Sequence, residues 1–125
     1  MLQLLLVAVG GAIGSVLRYS VGIWALRIAG PNFPWGTLAV NVIGCFLIGV
    51  LAELITRRYG GSVELRLLLI TGFLGGFTTF SAFSLDTIAL FERGALMAGI
   101  TYVVASVAVS LAAVVAGLAV IRSFG

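Results

Sequence analysis

The residues best able to handle an ion without a formal charge are Asn41, Thr78, Thr79, Ser81, Ser84, Tyr102, Ser106 and Ser110. Amide and hydroxyl groups donate hydrogen bonds without fixed negative charge, which suits an anion that must shed its water. Phenylalanines accompany them: Phe73, Phe77 and Phe80 fall at i, i+4 and i+7, and Phe83 follows three residues later. One reading makes these rings packing or lipid-facing groups. The other uses the ring quadrupole, whose electropositive edge can meet a small anion. A ring beside Thr79 and Ser81 is placed for that.

Most of these groups lie in or beside one stretch, Gly72-Phe73-Leu74-Gly75-Gly76-Phe77-Thr78-Thr79-Phe80-Ser81-Ala82-Phe83-Ser84. It sits inside an apolar run long enough to cross a membrane. Its three glycines in five positions each cost a helix about 1 kcal/mol relative to alanine. Backbone can unwind at membrane depth only where protein or a polar cavity satisfies it. Freed carbonyls can then ligate a cation, and freed N–H groups can face an anion. The expectation is an ion site at a break in this helix.

Other chemistries lack their residues. The chain has no His and one cysteine, Cys45, which argues against a zinc or iron centre and against an intrachain disulfide. It holds no Ser/His/Asp or Cys/His set and no phosphate-binding glycine loop before a lysine, so no enzyme is expected. The carboxylates Glu53, Glu64, Asp86 and Glu92 fall at span ends or in loops. A proton-coupled exchanger needs a titrating group at mid-membrane, and only Asp86 could serve. A net charge of +3 gives no nucleic-acid patch.

The elements that must position these groups follow from composition. Of 125 residues, 62% are hydrophobic and 9% charged, with mean hydropathy +1.27. A soluble domain of this size could not bury so much apolar surface, which makes this an integral membrane protein, one transmembrane domain over residues 1–125. Apolar Met1 to Val9 lacks a preceding basic residue and reads as the start of the first span rather than a cleaved signal.

Span one runs from about Leu2 to Arg27. Its Gly10-x-x-x-Gly14 ridge permits close helix packing. Arg18 lies 16 residues past Leu2, roughly 24 Å along the helix. It reads either as a snorkelling side chain or as a functional charge, attracting anions in a vestibule or making a structural salt bridge. Two prolines and a glycine turn the chain at 29–35, with Trp35 suited to the interface. Span two runs from about Trp35 to Thr56, with Asn41 roughly 9 Å inside it. That amide reads either as an interhelical hydrogen-bonding group or as a donor to a permeating anion.

Span three runs from about Leu65 to Phe91, and its midpoint is residue 78, so the glycine-rich break falls near the bilayer centre. Span four runs from about Ala95 to Ile121. Its Tyr102, Ser106 and Ser110 recur every four residues on one face. A single serine in such a helix usually bonds back to the carbonyl four residues earlier, but three hydroxyls in register suggest a polar track.

Four spans place both termini on one side. That side holds Arg57, Arg58, Arg66 and Arg122, against Arg27 and Arg93, plus Arg18 if it snorkels there. The bias is weak under the positive-inside rule and permits insertion in both orientations. Four short spans enclose a polar path poorly, so a homo-oligomer, most often twofold, is expected.

Three long motifs in order carry a resemblance over nearly the whole chain. They are Gly10-Gly11-Ala12-Ile13-Gly14-Ser15-Val16-Leu17-Arg18-Tyr19, Gly36-Thr37-Leu38-Ala39-Val40-Asn41-Val42-Ile43-Gly44-Cys45-Phe46, and the Gly72–Ser84 stretch. In them the chain resembles the Fluc (CrcB) fluoride channels of bacteria. The resemblance implies an all-α, four-helix protein of the bacterial inner membrane with its third helix broken, assembled as an antiparallel dual-topology homodimer with two fluoride pores. It implies passive fluoride export that protects the cell, and a structural, untransported sodium ion held by the carbonyls matching Gly75 and Thr78. The pore phenylalanines match Phe80 and Phe83, the pore asparagine Asn41, the polar track Tyr102, Ser106 and Ser110, and the span-one arginine Arg18. Gly75 is then expected to need a residue without Cβ, for the break and for close subunit contact. Position 82 is Ala where the family often has Thr, and position 86 is Asp where it often has Glu. Two readings from other classes stand beside this one: a small proton-coupled exporter of organic cations using Asp86, and a non-transporting membrane assembly subunit.

Overall fold

The computed structural model describes residues 1–124. Within them the chain forms α1 (Leu2–Ala29), α2 (Trp35–Arg58), a divided third span, and a last long helix. The third span consists of α3, residues 63–77, and α4 (Phe80–Glu92), separated by Thr78 and Thr79. The last helix is α5 (Leu96–Ser123). All four spans are long and apolar enough to cross a membrane. Leu2 and Trp35 start where the sequence expectation puts them, Ala29, Arg58, Val63, Glu92 and Ser123 lie one or two residues beyond it, and Leu96 starts one residue inside it.

Short connections make neighbouring helices antiparallel. The second connection turns on Gly60 (φ 63°) and Gly61 (φ 69°), whose positive φ angles L-residues with a Cβ adopt at a cost. Gly61 N–H then reaches back to the Ile55 carbonyl at 2.9 Å, which also accepts from Tyr59 N–H at 3.1 Å, and this closes the end of α2.

Small residues decide which helices touch. In lipid there is little hydrophobic drive between helices, so close packing carries association. α2 lies along α5, where Gly49 and Gly117 face each other. A Cβ on Gly49 would overlap the Val114 carbonyl, and one on Gly117 the Phe46 carbonyl. α1 lies along α3 through Gly10 and Gly14, whose added Cβ atoms would overlap Leu68 and Phe73 backbone. One end of the α2–α5 pair is tied by Glu53, which accepts from Arg57 Nε at 3.0 Å and Arg122 Nε at 3.2 Å.

The glycines of span three differ from their expected role. They do not unwind the helix. Residues 66–74 form wide π-helical turns, and Gly75–Phe77 continue as α-helix with Gly75 at φ −61°, ψ −37°. Gly72 and Gly76 instead admit α1: a Cβ on Gly76 would sit 2.6 Å from the Gly11 carbonyl. The break comes two residues after the glycines, where Thr78 (ψ 160°) and Thr79 (φ −156°, ψ 118°) are extended.

Candidate functional site

The break is held open by named competitors for its backbone groups. In an unbroken helix Thr79 N–H would donate to the Gly75 carbonyl. Here it donates to Asn41 Oδ1 at 2.8 Å. The Thr79 carbonyl accepts from Asn41 Nδ2 at 3.0 Å, so one amide from α2 splints both polar groups of the extended residue. Ala82 N–H, the natural helical partner of the Thr78 carbonyl, donates instead to Thr79 Oγ1 at 3.1 Å. Thr79 is therefore the N-cap of α4, a role its hydroxyl and extended backbone suit. The carbonyls of Gly75 and Thr78 are thus deprived of their helical donors by two separate side chains.

Two neighbouring carbonyls at this end of α3 are engaged. Leu74 O accepts from Thr78 N–H at 2.9 Å and from Thr78 Oγ1 at 2.8 Å. Gly76 O accepts from Arg18 Nε at 3.0 Å. Arg18 therefore turns its Nε toward α3, and it pairs with no acid among the described residues. It places its charge against the carbonyl end of α3, where the helix dipole is negative. Gly44 lets α2 come this close, because a Cβ there would overlap the Thr78 methyl.

An open groove of about 400 Å³ runs beside the break. Asn41, Thr79, Phe80, Phe83, Ser106 and Ser110 border it, as do Gly75 and Thr78. One N–H of Asn41 is spent on Thr79, and the amide has a second to offer. Asn41 thus fills the interhelical role expected of it and keeps a donor on the groove wall. Phe80 is 78% exposed within the protomer, with its centroid 5.5 Å from that of Phe83.

Two expected pathway residues stand apart from the groove. Ser81 is exposed, its Oγ 3.2 Å from Thr79 Oγ1. Tyr102 is fully buried and donates from its hydroxyl to Asp86 Oδ2 at 3.2 Å. Asp86 lies in α4 toward the end of the third span, six residues before Glu92. Of the hydroxyls on α5, Ser106 is 6% exposed and its Oγ has no hydrogen-bond partner. It does not bond back to its own helix, whereas Ser84 and Thr87 do, donating to the Phe80 and Phe83 carbonyls at 3.0 and 2.8 Å. A buried, unpaired hydroxyl on a groove wall is costly unless something in the groove accepts or donates to it.

Sequence reasoning missed three parts of this site. The Arg18–Gly76 bond and the Gly44–Thr78 contact depend on helix register, which one chain read alone does not supply. The ring of Phe33, from the first connection, packs on Tyr102 with centroids 5.4 Å apart. The only signal was its place in a Pro-flanked turn.

The arrangement presents groups suited to ions of both signs. Free carbonyls at the end of α3 suit a hard cation. Hydroxyls, an amide N–H and the N-terminal end of α4 suit an anion. Among the described residues no cluster of His, Cys, Asp or Glu could hold a metal.

Comparison with known proteins finds relatives that match nearly the whole chain. The family model for CrcB-like protein, Camphor Resistance (CrcB), matches residues 5–118. The chain is 75% identical to a fluoride-specific ion channel of Rhizobium etli over 123 residues, 98% of each chain. It is 76% identical to a fluoride-specific ion channel of Rhizobium leguminosarum bv. trifolii, again covering 98% of each. A fluoride-specific ion channel of Mesorhizobium japonicum is 50% identical with the same coverage.

Proposed function

The chain belongs to the CrcB-like family, and from that premise we propose that it is a fluoride-selective channel of the bacterial inner membrane. It performs no covalent chemistry. Fluoride leaves the cell passively, driven by the inside-negative potential, which is worth about 2.3 kcal/mol per charge per 100 mV. The observation that carries this reading is the groove at the break, walled by neutral donors and the Phe80–Phe83 pair with no carboxylate among its lining residues.

Permeation exchanges water for protein contacts along that wall. The second N–H of Asn41, the hydroxyls of Thr79, Ser106 and Ser110, and the edges of Phe80 and Phe83 replace the hydration shell. Ser81 extends this set toward the exposed face of α4, and Tyr102 continues the pathway toward Asp86, donating to fluoride only when its one O–H leaves that carboxylate. Arg18 acts from behind as a structural charge that holds the broken end of α3.

The active form in this reading is an antiparallel dual-topology homodimer. Support comes from the surface at the break: Gly75 and Phe80 are exposed within one protomer at the depth where a polar interruption must be covered. A structural sodium ion fits the same place. The carbonyls of Gly75 and Thr78 have lost their helical donors, and two such pairs from two subunits offer four oxygens to a hard monovalent cation. When bound, the ion supplies charge that binds the two broken helices together.

Expression in bacteria stripped of their own fluoride export tests the function. Growth in fluoride should be restored by the wild-type chain, and unchanged sensitivity despite membrane insertion would contradict the proposal.

A further inference from the structure

Tyr102 carries a hydroxyl on the proposed pathway, yet it is 0% exposed. Three groups enclose it. Phe33 packs nearly perpendicular to it, at 86° with centroids 5.4 Å apart. Phe83 lies 5.2 Å away, centroid to centroid. Asp86 Oδ2 accepts the hydroxyl at 3.2 Å.

Two cavities flank this cluster. One is the groove, which Ser106 and Ser110 enter from the next turns of α5. The other, about 360 Å³, lies under the first connection and is bordered by Phe33, Trp35, Thr37, Asp86 and Arg93. Tyr102 walls neither. Between the residues that line the two chambers stand rings in T-shaped and tilted contact and one hydrogen bond.

Phe33 is the one member of that barrier carried on a connection instead of a helix. Its ring also packs on Trp35, tilted 50° with 4.7 Å between centroids. The carbonyl of neighbouring Asn32 accepts from Arg93 Nη2. The connection is thus pinned at two points, with its ring set on the tyrosine. An aromatic face carries negative potential and offers an anion no donor. Where the ring sits decides whether an anion in the outer chamber reaches Tyr102.

We infer that Phe33 gates the outer end of the Tyr102–Ser106–Ser110 track, and that its displacement joins the chamber beside Asp86 and Arg93 to the groove. The inference rests on the fluoride-channel reading for the identity of the ion. The gate itself is a matter of ring packing.

The test uses the full-length chain, wild type and with Phe33→Ala, Phe33→Leu or Phe33→Trp, reconstituted in liposomes after its dimeric state is checked by gel filtration. Phe33→Ala should raise fluoride efflux about two- to tenfold, the factor that one aromatic pair is worth. Phe33→Leu should raise it less, Phe33→Trp should lower it, and chloride should stay excluded. Dimeric Phe33→Ala and Phe33→Leu proteins with efflux at or below wild type would overturn the gate. A silent wild type would strike the channel reading instead, so a second readout avoids flux. In a Cys45→Ala, Ser106→Cys background, Phe33→Ala should increase labelling by a water-soluble maleimide. Unchanged labelling would overturn the gate by itself.

Discussion

Asn41 closes a two-bond ring with the backbone of Thr79, donating from Nδ2 to its carbonyl at 3.0 Å and accepting its N–H on Oδ1 at 2.8 Å. This side chain on α2 occupies the place a neighbouring strand would take. Replacing it with valine strands both backbone groups at membrane depth, at roughly 1–3 kcal/mol each. Asn41→Val should therefore lose most of its folded yield in detergent. Asn41→Asp keeps the acceptor and should melt between the two. Equal melting temperatures for all three proteins would remove the splint from the account.

Gly75 and Gly76 are adjacent but should fail differently. A Cβ on Gly76 meets the Gly11 carbonyl at 2.6 Å, inside the protomer, whereas one on Gly75 meets nothing nearer than 3.7 Å. Gly75 is right-handed helix, so the break does not need its missing side chain. Gly76→Val should disturb the helix bundle itself, by about 1–3 kcal/mol for overpacking or more. Gly75→Val should leave helix content and protomer fold intact and stop dimer formation. Cross-linking in membranes separates the cases, and a normal Gly75→Val dimer would contradict the proposed subunit contact.

Phe80 and Phe83 border the groove as a tilted pair at 47°. Isoleucine fills similar space without a ring edge. Each single change should slow fluoride efflux about two- to tenfold, in line with the worth of a specific aromatic contact. The dimer should persist on gel filtration. Normal flux in the Phe80→Ile, Phe83→Ile double variant would take these rings out of the pathway.

Sodium should stabilise the dimer by mass action if the Gly75 and Thr78 carbonyls hold it. Saturation at a hundred times the dissociation constant is worth about 2.7 kcal/mol. Exchanging sodium for N-methylglucamine should lower the melting temperature of the purified dimer, and readdition should restore it. A melting curve indifferent to sodium would rule out a stabilising ion there.

Much of this fold is plain in the chain because lipid imposes a simple rule. Long apolar runs must be helices, and Gly30-Pro31, Gly60-Gly61 and Arg93-Gly94 interrupt them where the structure turns. The existence of a break in span three was also legible, from residues that no lipid-facing helix needs. Its place within the Gly72–Ser84 stretch was legible too, but not its cause. Glycine lowers helix propensity, but packing against α1 outweighs propensity at Gly72 and Gly76. The break falls at Thr78 and Thr79, where side-chain oxygens of Asn41 and Thr79 outcompete backbone carbonyls for N–H donors. Arg18 shows the same limit: its height in the span was readable, but not the Gly76 carbonyl it meets across the interface. Tyr102, Ser106 and Ser110 were legible as one face, yet Phe33 and Asp86 close over the first of them.

The most direct measurement is anion efflux from liposomes holding the purified dimer, loaded with fluoride or chloride and made potassium-permeable with valinomycin. The account predicts rapid fluoride efflux and none of chloride above protein-free vesicles. Dimeric protein that releases neither ion, or both at similar rates, would contradict a fluoride-selective channel.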